Sequence, residues 1–128
     1  MDTPKFSLEG YTVQAKIVKV YDGDTITAVF PLPMHENSKD YKWSCRINGI
    51  DTPEMRSKNT ELKKIALKAR DLVRSLILNK TVNLELDNFD KYGRVLCTAF
   101  DTNQKSIAKT LIEEGLAKKY DGGKKEKW

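Results

Sequence analysis

The pattern of apolar residues constrains most strongly how this chain can fold. Five short segments alternate apolar and polar residues with a period of two, which is typical of strands with one buried face. The first begins at Tyr11 and contains TVQAKIVKV, and the others cover residues 25–30, 41–50, 81–86 and 94–100. Polar turns such as YDGD at 21–24 separate these segments. The pattern therefore predicts five short strands.

One longer segment, residues 60–79, repeats apolar residues at spacings of three and four, as a helix with one buried face requires. Asn59 or Thr60 can cap its start, and Ser106 can cap a second, short helix that ends at Gly115. The opposite face of the long helix is basic, and its charges either face solvent or contact phosphate. Those charges belong to Lys63, Lys64, Lys68, Arg70 and Arg74.

Five strands with a helix after the third predict a mixed β-barrel plus α-helices. The best match is an OB-fold, a five-stranded Greek-key barrel with a helix between strands 3 and 4 and a short C-terminal helix. The 128 residues suffice for one domain with its own core. Residues 1–10 are expected to form a loose lead-in and residues 121–128 a polar tail.

The composition narrows the possible classes of protein. Charged residues make up 32% of the chain and hydrophobic residues 39%, which argues against a membrane bundle and against wholesale disorder. A net charge of +5 suits a polyanionic partner but is also common in proteins without one. The N-terminus has no pattern of a secretory signal. An intracellular or viral origin, or a mature fragment of a secreted precursor, stays open, and a monomer is the default expectation.

The cysteines argue against a zinc site. Cys45 and Cys97 are distant in sequence and His35 is the only histidine, so four Cys or His ligands are not available. Both cysteines fall in predicted strands. Buried free thiols are the favoured interpretation, and one disulfide is possible if the two strands are neighbours.

Two aspartates are predicted to meet at one end of the sheet. Asp24 precedes the second strand and Asp51 follows the third, positions that share one end of an antiparallel pair, with Glu54 one turn away. Carboxylates about 4 Å apart repel by about 4 kcal/mol at an effective dielectric constant of about 20. Protons or a cation must offset this repulsion. Oxygen ligands without His or Cys suit Ca²⁺ or Mg²⁺.

Two arginines stand close to these acidic loops. Arg46 lies in RINGIDTPE at 46–54 and Arg94 in DKYGR at 90–94. Arginine matches phosphate in a bidentate way, so these groups together indicate a phosphodiesterase site. Each motif alone has a structural explanation: a hairpin turn, a helix entry or a surface ion pair. Their joint occurrence favours the functional interpretation.

Four motifs in this order resemble the staphylococcal nuclease (thermonuclease) family: VYDGDTI at 20–26, CRINGIDTPE at 45–54, DKYGR at 90–94 and LIEEGLAK at 111–118. The resemblance covers residues 11–120. It implies an OB-like barrel with helices, in agreement with the apolar pattern. It also implies a Ca²⁺-dependent, sugar-nonspecific endonuclease that hydrolyses DNA and RNA and leaves 3′-phosphate ends.

The resemblance also implies which residues bind the cation and act on water. Asp24 and Asp51 would hold Ca²⁺ through their carboxylates, and Thr52 through its backbone carbonyl. Glu54 would act as the general base or orient the attacking water.

Further residues would contact the nucleic acid. Arg46 and Arg94 would bind the scissile phosphate, and Lys91 and Tyr92 match positions that touch a terminal phosphate. Tyr120 either substitutes in part for the tyrosines that line the family's nucleotide pocket or is a packing residue.

The chain also departs from the family pattern. The loop at 31–40 is longer, the sequence after LIEEGLAK diverges, and a third, C-terminal helix is not apparent. Trp128 with the lysines at 124, 125 and 127 forms either a disordered tail or an added nucleic-acid contact.

Two other functions are open. Barrels related to this family serve as non-catalytic nucleic-acid- or protein-binding modules, but such copies usually lack the acidic ligands or arginines that this chain keeps. A Ca²⁺-stabilised interaction protein would not require Arg46 and Arg94.

Overall fold

The computed structural model of the protein describes residues 3–120 and 128. In chain order, the elements of this part are β1 (Thr12–Val20), β2 (Thr25–Pro31), β3 (Asp40–Ile47), β4 (Ile50–Asp51), α1 (Thr60–Ile77), β5 (Thr81–Phe89), β6 (Val95–Ala99), α2 (Ile107–Glu113) and β7 (Lys118–Lys119).

Five of the strands form a closed barrel in the order β1-β2-β3-β6-β5. The β3–β6 pair is parallel, and the other four pairs of neighbours are antiparallel. With α1 between the third and the fourth barrel strand, this architecture confirms the predicted OB-like barrel with two helices. No helix in the described part of the chain is both long enough and apolar enough to span a bilayer.

Both helices begin at the predicted caps. The Asn59 side chain accepts hydrogen bonds from the backbone N–H groups of Glu61 and Leu62, and the Ser106 hydroxyl accepts one from Lys109. Each cap satisfies donors that the first turn leaves unpaired. The buried face of α1 packs against the barrel and consists of Ala66, Ala69, Val73 and Ile77.

The lead-in contributes more than the sequence interpretation predicted. Leu8 is fully buried and belongs to the barrel core, and the ring of Phe6 packs near that of Phe89. Residues 3–10 are therefore anchored at Leu8 rather than loose along their whole length. The predicted polar tail falls outside the described residues except for Trp128.

The two cysteines are free and buried, as the favoured interpretation had it. Cys45 lies on β3 and Cys97 on the neighbouring strand β6. A hydrogen bond with the Cys45 thiol, together with burial, raises the pKa of Cys97 well above its ordinary value. The Cys97 thiol is therefore a protonated core group.

The predicted third strand is wrong in its last residues. β3 ends at Ile47, and the chain turns at Asn48 and Gly49, where Gly49 has a φ of +85° that favours glycine. Ile50 and Asp51 then pair with β7 in a separate two-stranded sheet. Asp51 therefore lies outside the barrel sheet.

The interval predicted between the fourth and the fifth strand, residues 87–93, is shorter in the structure. β5 continues to Phe89, and the turn is limited to residues 90–93, closed by a 2.8 Å hydrogen bond from the Asp90 N–H to the Arg94 carbonyl. The end of the long helix differs as well: α1 stops at Ile77 instead of residue 79.

Candidate active site

Asp24 lies in the turn between β1 and β2, and two hydrogen bonds fix its backbone. The backbone N–H of Asp24 donates to Asp22 Oδ1 at 3.1 Å, and its carbonyl accepts from the Ile47 N–H at 2.8 Å. Asp24 is only 8% exposed. The β1–β2 turn and β3 therefore fix the position of this carboxylate.

The segment after β4 contacts the same carboxylate. Asp24 Oδ2 accepts from the Thr52 N–H at 3.3 Å and from the Thr52 hydroxyl at 3.2 Å. Asp51 and Thr52 are both buried. The pairing of Ile50 and Asp51 with Lys119 and Lys118 holds this segment against the barrel.

Arg46 joins the two aspartates. Its Nη2 lies 3.5 Å from Asp24 Oδ2 and 3.9 Å from Asp51 Oδ1. The guanidinium also donates to two backbone carbonyls, from Nη1 to Ile47 at 2.6 Å and from Nη2 to Ile50 at 2.9 Å. The structure thus brings both aspartates to the Arg46 guanidinium, although Asp51 lies on β4 and not at the end of β3 as predicted.

Arg94 is linked to this cluster through Thr25. The Thr25 hydroxyl donates to Asp24 Oδ1 at 3.2 Å and accepts from Arg94 Nη1 at 3.3 Å. Arg94 Nε donates to Asp90 Oδ2 at 2.7 Å. This chain of contacts brings the guanidinium of the 90–94 loop to the aspartate cluster.

Asp90 fixes the conformation of the DKYGR loop. Its Oδ1 accepts from the backbone N–H groups of Tyr92 and Arg94, both at 2.9 Å. Burial by itself raises the pKa of Asp90, but these two N–H groups and the Arg94 guanidinium lower it, so the net pKa lies below 3.8. Asp90 is therefore a carboxylate that positions Arg94.

The pKa of Asp22 is raised, whereas that of Asp90 is lowered. Burial and, second, the negative charge of Asp24 raise the pKa of Asp22 from 3.8 to about 7. The Arg46 guanidinium forms ion pairs with Asp24 and Asp51, and within the described residues it forms none with Asp22. The β1–β2 turn therefore carries more acidic groups than this guanidinium contacts, which favours a proton or a further cation there.

Glu54 is exposed, unlike Asp24 and Asp51. It follows the buried Pro53, and its carbonyl accepts from the Ser57 N–H at 3.1 Å. Within residues 3–120 and 128, no group of three or more His, Cys, Asp or Glu side chains is arranged to hold a metal ion. The structure brings Asp24, Asp51 and Thr52 together, but it does not add Glu54 as a third carboxylate.

Lys91, Tyr92 and Tyr120 are the three residues predicted to contact the substrate, and they lie near the two arginines or near one another. Tyr92 is 72% exposed. Lys91 Nζ lies 5.2 Å from the centre of its ring, and the Arg94 guanidinium lies 5.7 Å from it. The Tyr120 ring lies 5.9 Å from the Arg46 guanidinium, and the Tyr120 N–H donates to the Gly49 carbonyl. The arginines therefore lie beside aromatic rings.

Trp128 also reaches the site. Its indole N–H donates to Asp51 Oδ2 at 3.4 Å, and Lys118 Nζ lies 5.0 Å from its ring. The sequence left open a disordered tail or an added nucleic-acid contact for Trp128, and no pattern in it predicted a contact with Asp51.

Gly23 makes room for the close packing behind the site. A Cβ at this position would lie 2.8 Å from the Ala69 Cβ on α1 and 2.9 Å from Thr52 Cγ2. Such distances are too short for carbon atoms. The glycine thus allows the β1–β2 turn, α1 and Thr52 to approach one another.

Four residues of the site were missed among the sequence motifs. Asp22, Gly23 and Thr25 belong to YDGDT, and Asp90 begins DKYGR. The Asp-x-x turn pattern predicts that Asp22 and Asp90 accept backbone hydrogen bonds. Nothing in the sequence shows that Thr25 faces Arg94, because the two residues are 69 positions apart.

The architecture and the buried aspartate–arginine cluster define an OB-type barrel with a polar site at one end of the sheet. The family model described as Staphylococcal nuclease homologue matches residues 44–127, more than half of the chain. The chain belongs to this family.

Individual relatives support the same assignment. The thermonuclease of Staphylococcus hyicus is 33% identical over 106 residues, which cover 80% of this chain and 57% of that protein. An uncharacterized protein of Methanocaldococcus jannaschii is 30% identical, with coverages of 82% and 58%. An uncharacterized endonuclease of Escherichia coli is 25% identical, with coverages of 85% and 62%. The chain thus spans less than two thirds of the length of each of these relatives.

Proposed function

We propose that this chain is a Ca²⁺-dependent, sugar-nonspecific endonuclease that hydrolyses DNA and RNA and leaves 3′-phosphate ends. The observation that carries the proposal is the position of the Arg46 guanidinium between the buried Asp24 and Asp51, with Arg94 linked to Asp24 through Thr25. The names of the related thermonuclease and endonuclease support nuclease chemistry.

The carboxylates of Asp24 and Asp51 and the carbonyl of Thr52 would hold the cation. This donor set fits Ca²⁺, because all its atoms are oxygens. When bound, the cation stabilises negative charge on the phosphoryl oxygens.

The two arginines would bind the scissile phosphate. Some of their N–H groups do not donate to Asp90 or to backbone carbonyls, and these would donate to the phosphoryl oxygens. They would neutralise the negative charge that grows on these oxygens in the transition state. Fixed donors of this kind cost little reorganisation during the reaction. Lys91 and Tyr92 would contact a terminal phosphate, and Tyr120 would contact the nucleotide.

Glu54 would act as the general base or orient the water. The water oxygen attacks phosphorus in line with the leaving 5′ oxygen, its proton passes to Glu54, and the P–O5′ bond breaks. The 5′ oxygen then takes a proton from solvent. The exposed position of Glu54 leaves its carboxylate accessible to water.

Cleavage assays with four variants test this proposal. Plasmid DNA, single-stranded DNA and RNA are incubated with Ca²⁺, Mg²⁺ or a chelator. We expect cutting with Ca²⁺ that Glu54→Gln lowers by a factor on the order of 10² or more, as loss of a general base does. Glu61→Gln is the matched control, since Glu61 is an exposed carboxylate on α1. Arg46→Lys and Arg94→Lys should also be impaired, because lysine lacks the bidentate fork.

The product ends distinguish the finer claims. Fragments with 5′-hydroxyl ends accept a labelled phosphate directly from a polynucleotide kinase, which indicates 3′-phosphate at the other side of the cut. No cutting with any metal, combined with salt-sensitive nucleic-acid binding, would contradict the nuclease and support the binding module.

A further inference from the structure

A second basic surface lies on the outer side of β1, β2 and β3. In one cross-strand row Lys16 pairs with Val29, which pairs with Lys42. In the next row Lys19 pairs with Thr27, which pairs with Ser44. We call the surface of these two rows the lysine face. All three lysines are exposed, whereas Ala15, Ile17 and Ala28 point into the core.

The charge on the lysine face is not compensated within the described part of the chain. Neither row contains an acidic residue, and none of the three lysines forms an ion pair with a described residue. The basic side of α1 differs, because Lys64 pairs with Glu61 and Arg70 with Asp71. The positive charge of the lysine face is therefore available to an anionic partner.

The lysine face is continuous with the candidate active site. The row that follows along the same strands pairs Thr25 with Arg46. Arg46 and Lys42 stand four residues apart on β3, so their Cα atoms are separated by about 13 Å. A line of cations therefore runs from the aspartate cluster along the barrel wall.

An exposed aromatic ring stands at the site end of this line. Tyr21 is 51% exposed, and Lys19 Nζ lies 5.9 Å from its ring centre. A basic track with an aromatic ring is typical of surfaces that bind nucleic-acid strands through phosphates and stacked bases.

We infer that the lysine face binds the phosphate backbone of the nucleic-acid strand that extends from the candidate active site. The inference rests on the proposed nuclease function for the identity of the partner. Lys16, Lys19 and Lys42 contact successive phosphates, and Tyr21 stacks on a base. Contacts of this kind carry no sequence information, so the surface adds affinity without adding sequence preference.

Binding in a chelator tests the inference without any cleavage. Labelled oligothymidylate and oligouridylate of about 16 nucleotides, the upper site size of one OB barrel, are titrated at several salt concentrations. The test protein is the triple variant Lys16→Gln, Lys19→Gln, Lys42→Gln. The control is Lys63→Gln, Lys64→Gln, Lys68→Gln, which removes the same charge from α1.

We expect the lysine-face variant to raise Kd by at least about 10-fold at low salt and to reduce the slope of log Kd against log salt by about 2, at roughly 0.7 per lost phosphate contact on a single strand. The control should change both quantities much less. Thermal unfolding of both variants checks that the exposed substitutions leave the fold intact.

Equal effects of the two triple variants would overturn the inference, and so would equally strong competition by poly-glutamate of matched charge. If the wild type cleaves nucleic acid and the lysine-face variant binds it as tightly as the wild type does, the proposed nuclease is supported and the inference about the lysine face is contradicted. If the lysine-face variant loses binding but the wild type does not cleave, the inference about the lysine face is supported and the proposed nuclease is contradicted.

Discussion

The Asp24 carboxylate accepts two hydrogen bonds from a single residue, Thr52, one from the N–H at 3.3 Å and one from the hydroxyl at 3.2 Å. The two residues are 28 positions apart in sequence. These bonds tie the β1–β2 turn to the segment after β4, so the positions of the two buried aspartates depend on each other.

Thr52→Val should therefore destabilise the protein. Valine keeps the shape and the backbone N–H but removes one donor to a buried carboxylate, which costs about 1.5–3 kcal/mol. Urea unfolding in a chelator measures this loss. The control Thr27→Val, on the outer face of β2, should change the free energy of unfolding by less than about 0.5 kcal/mol. Equal losses in both variants would argue against a special role for the Thr52 hydroxyl.

Gly23→Ala should destabilise the protein by about 1–3 kcal/mol through overpacking, because its Cβ would meet Ala69 and Thr52 at less than 3 Å. Ala69→Gly alone should cost about 1 kcal/mol, the usual cost of glycine within a helix. The double variant should be more stable than the sum of the two losses predicts, since one of the two clashes is removed. Strict additivity in urea unfolding would contradict the contact.

The raised pKa of Asp22 predicts an unusual pH dependence. The unfolded group titrates near 3.8 and the folded group near 7, so the folded state binds more protons between these values. The metal-free protein should lose stability as pH rises from about 4 to 7 because of this group. Asp22→Asn should then stabilise it at pH 8 by on the order of 1 kcal/mol, with solvent screening considered, and have little effect near pH 4. Thermal unfolding in a chelator checks this, and a stabilisation independent of pH would contradict it.

Asp90→Asn should affect the protein at neutral pH more than in acid. The folded pKa of Asp90 is lowered, so its stabilising contribution is present above its ordinary pKa of 3.8 and is lost as pH falls through the folded value. The difference in Tm between wild type and variant should shrink below about pH 4. The variant should also lower kcat/KM at neutral pH by about 10-fold, because Asp90 positions Arg94. Asp71→Asn, at the surface pair with Arg70, serves as control and should change neither quantity appreciably.

Trp128→Phe should strengthen Ca²⁺ binding. The indole N–H of Trp128 donates to Asp51 Oδ2, an oxygen that the cation requires in our proposal. Phenylalanine lacks this donor, and the net worth of one hydrogen bond, about 0.5–1.5 kcal/mol, corresponds to roughly 2- to 10-fold in affinity. Calorimetric titration with Ca²⁺ measures the change. Trp43→Phe, whose indole donates to the Phe30 carbonyl, is the control, and equal affinities for all three proteins would contradict the competition.

The barrel and both helices were predictable because local patterns encode them. Alternation along TVQAKIVKV marks one buried face, and Asn59 and Ser106 have the side chains that cap helices. The short β4–β7 sheet was not predictable. Two residues are too few for a periodic pattern, and Lys118–Lys119 has no apolar residue that would indicate a strand.

The site was predictable only in part, for a related reason. Asp24 and Asp51 were expected to meet at one end of the sheet, and the structure places both beside the Arg46 guanidinium, with Asp51 on the separate strand β4. The link from Thr25 to Arg94 depends on barrel closure across 69 positions. The contact of Trp128 with Asp51 spans 77 positions, and no local pattern encodes such a distance.

The pairing of Ile50 and Asp51 with Lys119 and Lys118 has a consequence for synthesis on the ribosome. A nascent chain that has exposed all five barrel strands still lacks the segment that holds Asp51 against the barrel. Since a chain emerges from its N-terminus at about 5–20 residues per second, the barrel can close while this pairing is still incomplete. The pairing that holds Asp51 can therefore form only after the segments that carry Asp24 and Arg46 have been made.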